Sequence, residues 1–295
     1  MNGRLLVTAC LCAYASGAMV STGREACLRI SRGGSPTMAA AAEMRRVLHG
    51  VDDLEATTAF YTSCLGMAAS EDGDSVQLTS SAGGLGLELR REAGAAFVAV
   101  PGYQHREGAG YQGTMAWVPS VADAVAKAVA NGGTVLREEE TINHGASLEP
   151  EEDEELDNPV VEALVADPCG YPVLLCECAE ATAPCIAGVR MAVHTWKKSQ
   201  AWYEGLGWKT VRWNSNVHRE ASLTVSLSAA VADPPIGPRG SLPPATTPIL
   251  QLNYIYGSTP VPSDKGGFGG LVFAAADGES PAELADEDGY KVVLE

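Results

Sequence analysis

Two short aromatic segments, each closed by a glycine turn, recur in the same order along this chain. Ala59-Phe60-Tyr61 leads to Leu65-Gly66-Met67, and Ala201-Trp202-Tyr203 leads to Leu206-Gly207-Trp208. Further pairs keep that order. Leu87-Glu88-Leu89 answers Leu250-Gln251-Leu252, and Asp167-Pro168-Cys169-Gly170-Tyr171 answers Asp286-Glu287-Asp288-Gly289-Tyr290. A repeat constrains a fold more than any single residue, because each copy is one structural unit with the same face to bury. The chain reads as a duplicated domain, with copies over 43–181 and 182–295 and a cleavable targeting presequence over 1–42.

Each copy divides again. A strand is predicted from Arg46 to Val51, then Asp52 or Asp53 caps a helix whose Leu54, Ala59, Phe60 and Leu65 follow helical spacing. Gly66 ends it, and short strands follow over 76–78 and 85–89, with room for one more. A second unit starts at Met115, carries a helix over 121–130 and a turn at Asn131-Gly132-Gly133, and supplies strands over 134–136, 161–165 and 171–176. The third starts at Val189, with a helix over 197–205 and strands over 208–213, 223–227 and 249–254. A proline-rich loop from Asp233 to Pro248 precedes its last strand. In the fourth, only twelve residues separate Phe273 from Asp286, where a helix and two strands need about thirty. Either that unit has lost its middle or the sequence lacks a segment. Sheets of three or four strands cannot cover their own apolar faces, so the units must join in pairs to make a core. The expected class is α+β.

With 295 residues and 46% hydrophobic content, two cores of ordinary size can be filled. The formal charge of −17 describes a surface that repels nucleic acid and anionic membrane. The acidic run from Glu149 to Asp157 reads as a solvated loop. At the N-terminus, Arg4 precedes an apolar stretch from Leu5 to Tyr14, the layout of a secretory signal. Residues 19–37, rich in hydroxyl and basic side chains, then look like a transit segment. Together they suggest a bipartite address to a plastid, with secretion and mitochondrial import as the alternatives. No later apolar run reaches the roughly 18 residues that span a bilayer, so the mature chain is expected to be soluble. Beyond Cys10, Cys12 and Cys27 of the presequence, five cysteines remain at spacings that suit neither zinc knuckles nor a disulfide framework.

The run from Val51-Asp52-Asp53-Leu54 through Phe60-Tyr61 to Leu65-Gly66-Met67, with Gly132-Gly133 and Asp167-Pro168-x-Gly170-Tyr171, resembles glyoxalase I of the vicinal oxygen chelate superfamily. The two-domain, plant-type lactoylglutathione lyases are the closest likeness, and Pro248 to Gly257 extends it into the second half. The resemblance implies tandem domains of paired strand-helix-three-strand modules, whose curved sheets form a cup around a divalent metal. It implies a lyase of methylglyoxal detoxification that takes glutathione as co-substrate and isomerises the hemithioacetal. There a metal-bound Glu moves a proton between adjacent carbons while the cation stabilises an enediolate.

That family holds its metal with one His or Gln and one Glu from each module. Counted from the landmarks, the corresponding positions here are Arg46, Glu88, Gly113 and Leu174 in the first half. In the second they fall near Gly188, on Gln251, near Leu271 and on Val293. Glu88 is therefore the candidate catalytic residue and metal ligand, with His49, Gln112 and Gln251 as the other candidate ligands. Arg46 cannot serve, since a guanidinium has no lone pair to give. Strand alternation turns His49 to the opposite face from Arg46, and Gln112 reaches inward only with a one-residue slip. The alternative for Glu88 is a carboxylate paired with Arg46 or Arg90. His105, His144, His194 and His218 read as surface or packing residues. Two functions stay open: a glyoxalase I-like lyase, or a metal-free member that keeps the cup for a small molecule or for assembly, with Tyr103, Tyr111 or Trp117 as contacts. The partner is a small molecule rather than nucleic acid or membrane, and a homo-oligomer is an open alternative to a monomer.

Overall fold

The structure is a computed structural model, and it describes residues 42–95, 97, 110–143, 159–179, 181–216, 222–229, 248–256, 267–274 and 281–295. The predicted presequence apart from Ala42, together with Tyr103, His105, His144, His218, the acidic run and residues 233–247, lies outside the described residues.

The first module runs β1 (Met44–Val51), α1 (Leu54–Cys64), β2 (Ala68–Asp72), β3 (Ser75–Thr79) and β4 (Gly86–Arg91). The second runs β5 (Tyr111–Val118), α2 (Val121–Ala130), β6 (Thr134–Asn143), β7 (Pro159–Ala166) and β8 (Pro172–Glu177). The third runs β9 (Cys185–Ala192), α3 (Trp196–Gly205), β10 (Lys209–Asn216), β11 (Ser222–Ser228) and β12 (Ile249–Ile255). The fourth keeps β13 (Phe268–Phe273), β14 (Ala282–Ala285) and β15 (Lys291–Leu294), with no helix among the described residues. The extra strand of the first module is β2, whose five residues are all exposed. It has no apolar alternation to announce it.

The sheets cross between the halves. β1 pairs antiparallel with β13, so the first and fourth modules share a seven-stranded sheet in the order β14-β15-β13-β1-β4-β3-β2. β5 pairs antiparallel with β9, so the second and third share an eight-stranded sheet, β10-β11-β12-β9-β5-β8-β7-β6. What the modules of one half share is the core. α1 buries Leu54, Thr57, Phe60, Tyr61 and Cys64, and α2 buries Val121, Ala124 and Ala128 in the same cluster. Gly133 lets them close up, since a Cβ there would stand 2.7 Å from the Phe60 ring. Among the described residues no helix is long and apolar enough to cross a membrane.

The repeated landmarks turn out to be one hydrogen-bond network built twice. Tyr61 donates to Asp167 Oδ2 (3.1 Å), the backbone N–H groups of Cys169 and Tyr171 donate to Asp167 Oδ1 (2.9 Å each), and Tyr171 Oη donates to the carbonyl of Gly50 (2.8 Å). In the second half Tyr203 donates to Asp286 Oδ2 (2.8 Å), the N–H groups of Asp288 and Tyr290 donate to Oδ1 (2.9 Å each), and Tyr290 Oη donates to the carbonyl of Ala192 (2.6 Å). Each network fastens the last loop of one module to the first strand and helix of the other.

The copies differ in one detail. Asp53 caps α1 by accepting from Ala56 N–H (2.9 Å), whereas Thr195 at the head of α3 makes no side-chain cap bond. Asp288, at the place of Cys169, supplies the carboxylate instead and accepts from His194 N–H (2.8 Å) and the Ser199 hydroxyl. These two bonds tie the chain entering α3 to the last loop of the shortened module. Asp288→Ala, which removes the acceptor of both, is expected to cost about 1 kcal/mol, read as a lower midpoint in chemical denaturation.

Candidate functional site

In the first sheet the parallel ladder sets Leu48 opposite Glu88 and His49 opposite Leu89. Residues opposite one another in a ladder share a face, and successive residues alternate. Glu88 thus shares a face with Arg46, away from the core, while His49 shares the core face with Leu87 and Leu89. His49 Nε2 lies 2.8 Å from Tyr111 Oη, and its ring stacks on Tyr171 with centroids 3.9 Å apart. Burial pulls the imidazole down to about 3, so it is neutral near pH 7. The ligand position predicted for His49 is not filled, because the pleat turns the ring into the core.

Arg46 sits on β1 at the expected ligand position and fills the space with its own charge. Its Nε donates to Glu88 Oε2 (2.8 Å), and its Nη2 reaches both carboxylate oxygens of Glu295 (2.7 Å). Arg90 takes the other oxygen, Oε1, of Glu88 at 2.7 Å. Desolvation pushes the Glu88 carboxyl up, but hydrogen bonds and charge from Arg90 and Arg46 outweigh it and hold the group below the usual carboxylate range. Both oxygens of the one retained acid are therefore engaged by guanidiniums.

The second sheet turns a different set of residues to the face away from the helices. Gly113, Arg190, Gln251, Ser226 and Arg212 stand opposite one another across β5, β9, β12, β11 and β10, one transverse row. Arg190, Ser226 and Arg212 are buried, and Gln251 is half-buried. Gly113, at φ +104, has no room for a Cβ, which would meet the carbonyl of Pro172 at 2.1 Å. Beside this row Asn253 donates to Gln112 Oε1 and accepts from Thr224 Oγ1 (2.6 Å). On the other side Met115, Leu174 and Ile249 form an apolar cluster with Trp117, Cys176, Cys185 and Ala187. Leu174, at a family ligand position, is thus packing.

Beyond that cluster Glu162 lies opposite Cys176, and Arg137 Nη2 sits 3.1 Å from Glu162 Oε2. Glu162 and Arg212 are six strands apart in the sheet, about 29 Å if it were flat. Yet Glu162 acts on Arg212, whose pKa burial pulls down and Glu162 raises. The sheet is curved and cup-like, and is not closed into a barrel. Burial and the Glu162 charge push the Cys176 thiol up, so it is no nucleophile.

The four candidate ligands are not brought together. Glu88 belongs to the first sheet, His49 to the core, and Gln112 and Gln251 to the second sheet. Among the described residues no three His, Cys, Asp or Glu side chains gather as a metal site. Counting from family landmarks passes over Arg190 and Arg212. The available signal was Arg190 itself, the single charge in the otherwise uncharged strand from Cys185 to Ala192.

Residues 44–175 match the family described as the Glyoxalase/Bleomycin resistance protein/Dioxygenase superfamily. The chain carries a domain of that superfamily. No curated protein sequence matches it. Among solved structures, glyoxalase I from Zea mays is similar with 20% identity and a TM-score of 0.62, over 86% of this chain and 92% of that one. A mutant form of the Zea mays enzyme gives 0.63 at the same identity and coverage. This likeness establishes the fold across both halves: the α+β arrangement of tandem vicinal-oxygen-chelate domains expected from the repeat.

Proposed function

We propose that this chain is a glyoxalase-superfamily protein that binds a small molecule in its cup without holding a divalent metal. The observation that carries this reading is the ion cluster of Arg46, Glu88, Arg90 and Glu295. A divalent cation needs several lone-pair donors at once. Here the first donor position is a guanidinium, the second is already paired, and Leu174 and Val293 replace the remaining acids. A carboxylate held below its usual range is also a weak base, poorly suited to take a proton from carbon. The residues present do not fit the metal.

The second reading, a glyoxalase I-like lactoylglutathione lyase with glutathione as co-substrate, is favoured by the retained position of Glu88 and by the Zea mays likeness. On the presequence reading either activity would operate in a plastid. Metal analysis of the purified chain, together with an isomerase assay on methylglyoxal and glutathione, separates the two. We expect substoichiometric metal and no rate above the uncatalysed reaction. One bound metal per chain, with turnover lost in Glu88→Gln, would overturn the proposal. The same Glu88→Gln substitution should cost about 1 kcal/mol of stability, because it breaks a partly exposed ion pair cluster.

A further inference from the structure

The two halves differ in how their helices are covered. In the first, α1 and α2 pack on one another: the Cys64 thiol donates to the carbonyl of Ala124 (3.4 Å), and Phe60 lies against Gly133 in the turn after α2. Phe60 and Leu65 are buried as a result, at 0% and 1% exposure. In the second half only the eight residues 274–281 separate β13 from β14. That is too few for a counterpart of the ten-residue α2 together with its turns. α3 therefore has no partner helix from the fourth module, and the loss shows at the repeated landmarks. Trp202 stands where the first copy has Phe60, and Leu206 where it has Leu65, yet both are half-buried.

The chain itself returns to this place. Just ahead of β1 the N–H of Ala42 donates to the carbonyl of Leu206 (2.9 Å), and the Ala42 carbonyl accepts from Trp208 Nε1 (2.7 Å). The carbonyl of Glu43 accepts from the N–H of Ala274 (2.8 Å), the first residue after β13. Ala42 packs against the same core cluster as Trp202 and Leu206. The backbone entering β1 is thus pinned at the C-terminal end of α3, beside the point where a helix of the fourth module would have begun. The residues immediately before it are Met38-Ala39-Ala40-Ala41, uncharged and mostly small, in contrast to the arginines at 24, 29 and 32. Trp202 is one helical turn from Leu206, about 6 Å, and two residues of extended chain span that distance at about 3.3 Å each.

We propose that Met38-Ala39-Ala40-Ala41 docks on α3 across Trp202 and Leu206 and stands in for the helix that the fourth module lacks. The stretch then belongs with the folded chain, and a presequence cut falls before Met38 rather than at residue 42. This holds whether or not the cup binds a metal.

The test uses the full chain and acrylamide quenching of tryptophan fluorescence, with each variant repeated in a Trp202→Phe background so that the difference reports Trp202 alone. The variants are Met38→Asp, Ala39→Asp, Ala40→Asp and Ala41→Asp, made singly, so that one failing to fold leaves the others. A carboxylate set against an apolar surface without a partner should shift the docked fraction about ten-fold or more toward the undocked state at the positions in contact. The readout is stronger quenching of Trp202. Ala15→Asp, the same change far upstream, should leave Trp202 as it is. Unchanged quenching of Trp202 in all four variants, or an equal rise with Ala15→Asp, would overturn the proposal. Quenching that rises on dilution of the unsubstituted chain would assign the face to a second copy and overturn it equally.

Discussion

Asp167→Ala is expected to be the most damaging single substitution in the first half, lowering stability by about 4 kcal/mol. The carboxylate is buried and accepts from three donors, the Tyr61 hydroxyl and the N–H groups of Cys169 and Tyr171. Truncation leaves all three buried without an acceptor, and each such orphan costs about 1–3 kcal/mol. The loop it shapes also positions Tyr171, whose hydroxyl reaches Gly50 and whose ring carries His49. Asp167→Asn is the informative partner. Its carbonyl can accept from the two N–H groups and its amide can donate to the Tyr61 oxygen, so most of the loss should be recovered. The same change in the second copy, Asp286→Ala, should be smaller, because its loop belongs to the shortened module. Equilibrium denaturation of the three variants checks the order. Equal losses for Asp167→Ala and Asp167→Asn would show that the network contributes through charge rather than through its donors and acceptors.

That network explains why the fold was legible in the sequence while the site was not. Tyr61, Asp167, Gly170 and Tyr171 recur as Tyr203, Asp286, Gly289 and Tyr290 because a buried carboxylate, its phenol and a left-handed glycine depend on one another. Gly170 and Gly289 both adopt positive φ, +91° and +87°. No member can change without orphaning the rest, so the letters persist and the duplication can be read from them. Helices α1 and α2 were equally visible: Asp53 caps the first, as the sequence suggested, and the second spans the expected residues 121–130, with Ser120 found at its cap. Strand β2 was not, because five exposed residues carry no periodic signal. The pairing of sheets across the halves was also hidden. It depends on β1 meeting β13 and β5 meeting β9 at long range, and local spacing does not encode the partner.

The chemistry is harder to read because it depends on direction as well as identity. His49 is three residues from Arg46 and looks like an available ligand, yet the pleat turns it to the other face. Gln112 lies in a strand with a register shift between Tyr111 and Gly113, which carries its amide to Asn253. Arg190 and Arg212 share one transverse row only through the long-range pairing of β9, β12, β11 and β10. The aromatic and glycine landmarks frame the scaffold in both halves. Paired arginines and carboxylates, not open acids, occupy the space they frame.

Acid should destabilise the chain through His49, and removing that residue should remove the effect. The imidazole is wholly buried, and desolvation depresses its pKa from 6.5 to about 3. A folded-state pKa below the unfolded one means that the unfolded chain binds the extra proton first. The stabilising contribution is complete above pH 6.5 and is lost progressively as the pH falls toward 3. Across that window the loss approaches about 4 kcal/mol, at roughly 1.4 kcal/mol for each tenfold difference in proton affinity between the two states. Asp167 works in the opposite sense. Burial pushes its carboxyl up to about 7 against the hydrogen bonds that pull it down, so its contribution is greatest below the ordinary carboxylate range and fades as the pH rises through 7. The wild-type profile between pH 4 and 6.5 should accordingly be shallow, two slopes of opposite sign. His49→Phe keeps the stack on Tyr171 and removes the titration. It should cost about 1–2 kcal/mol near neutrality, where the Tyr111 hydroxyl loses its partner. Toward pH 4 the variant should match or exceed the wild type, because only the wild type's unfolded chain then gains a proton that the folded ring does not take. Chemical denaturation at a series of pH values measures the difference directly, and a constant gap between the two proteins from pH 7 to 4 would show that the ring is not held neutral by its surroundings.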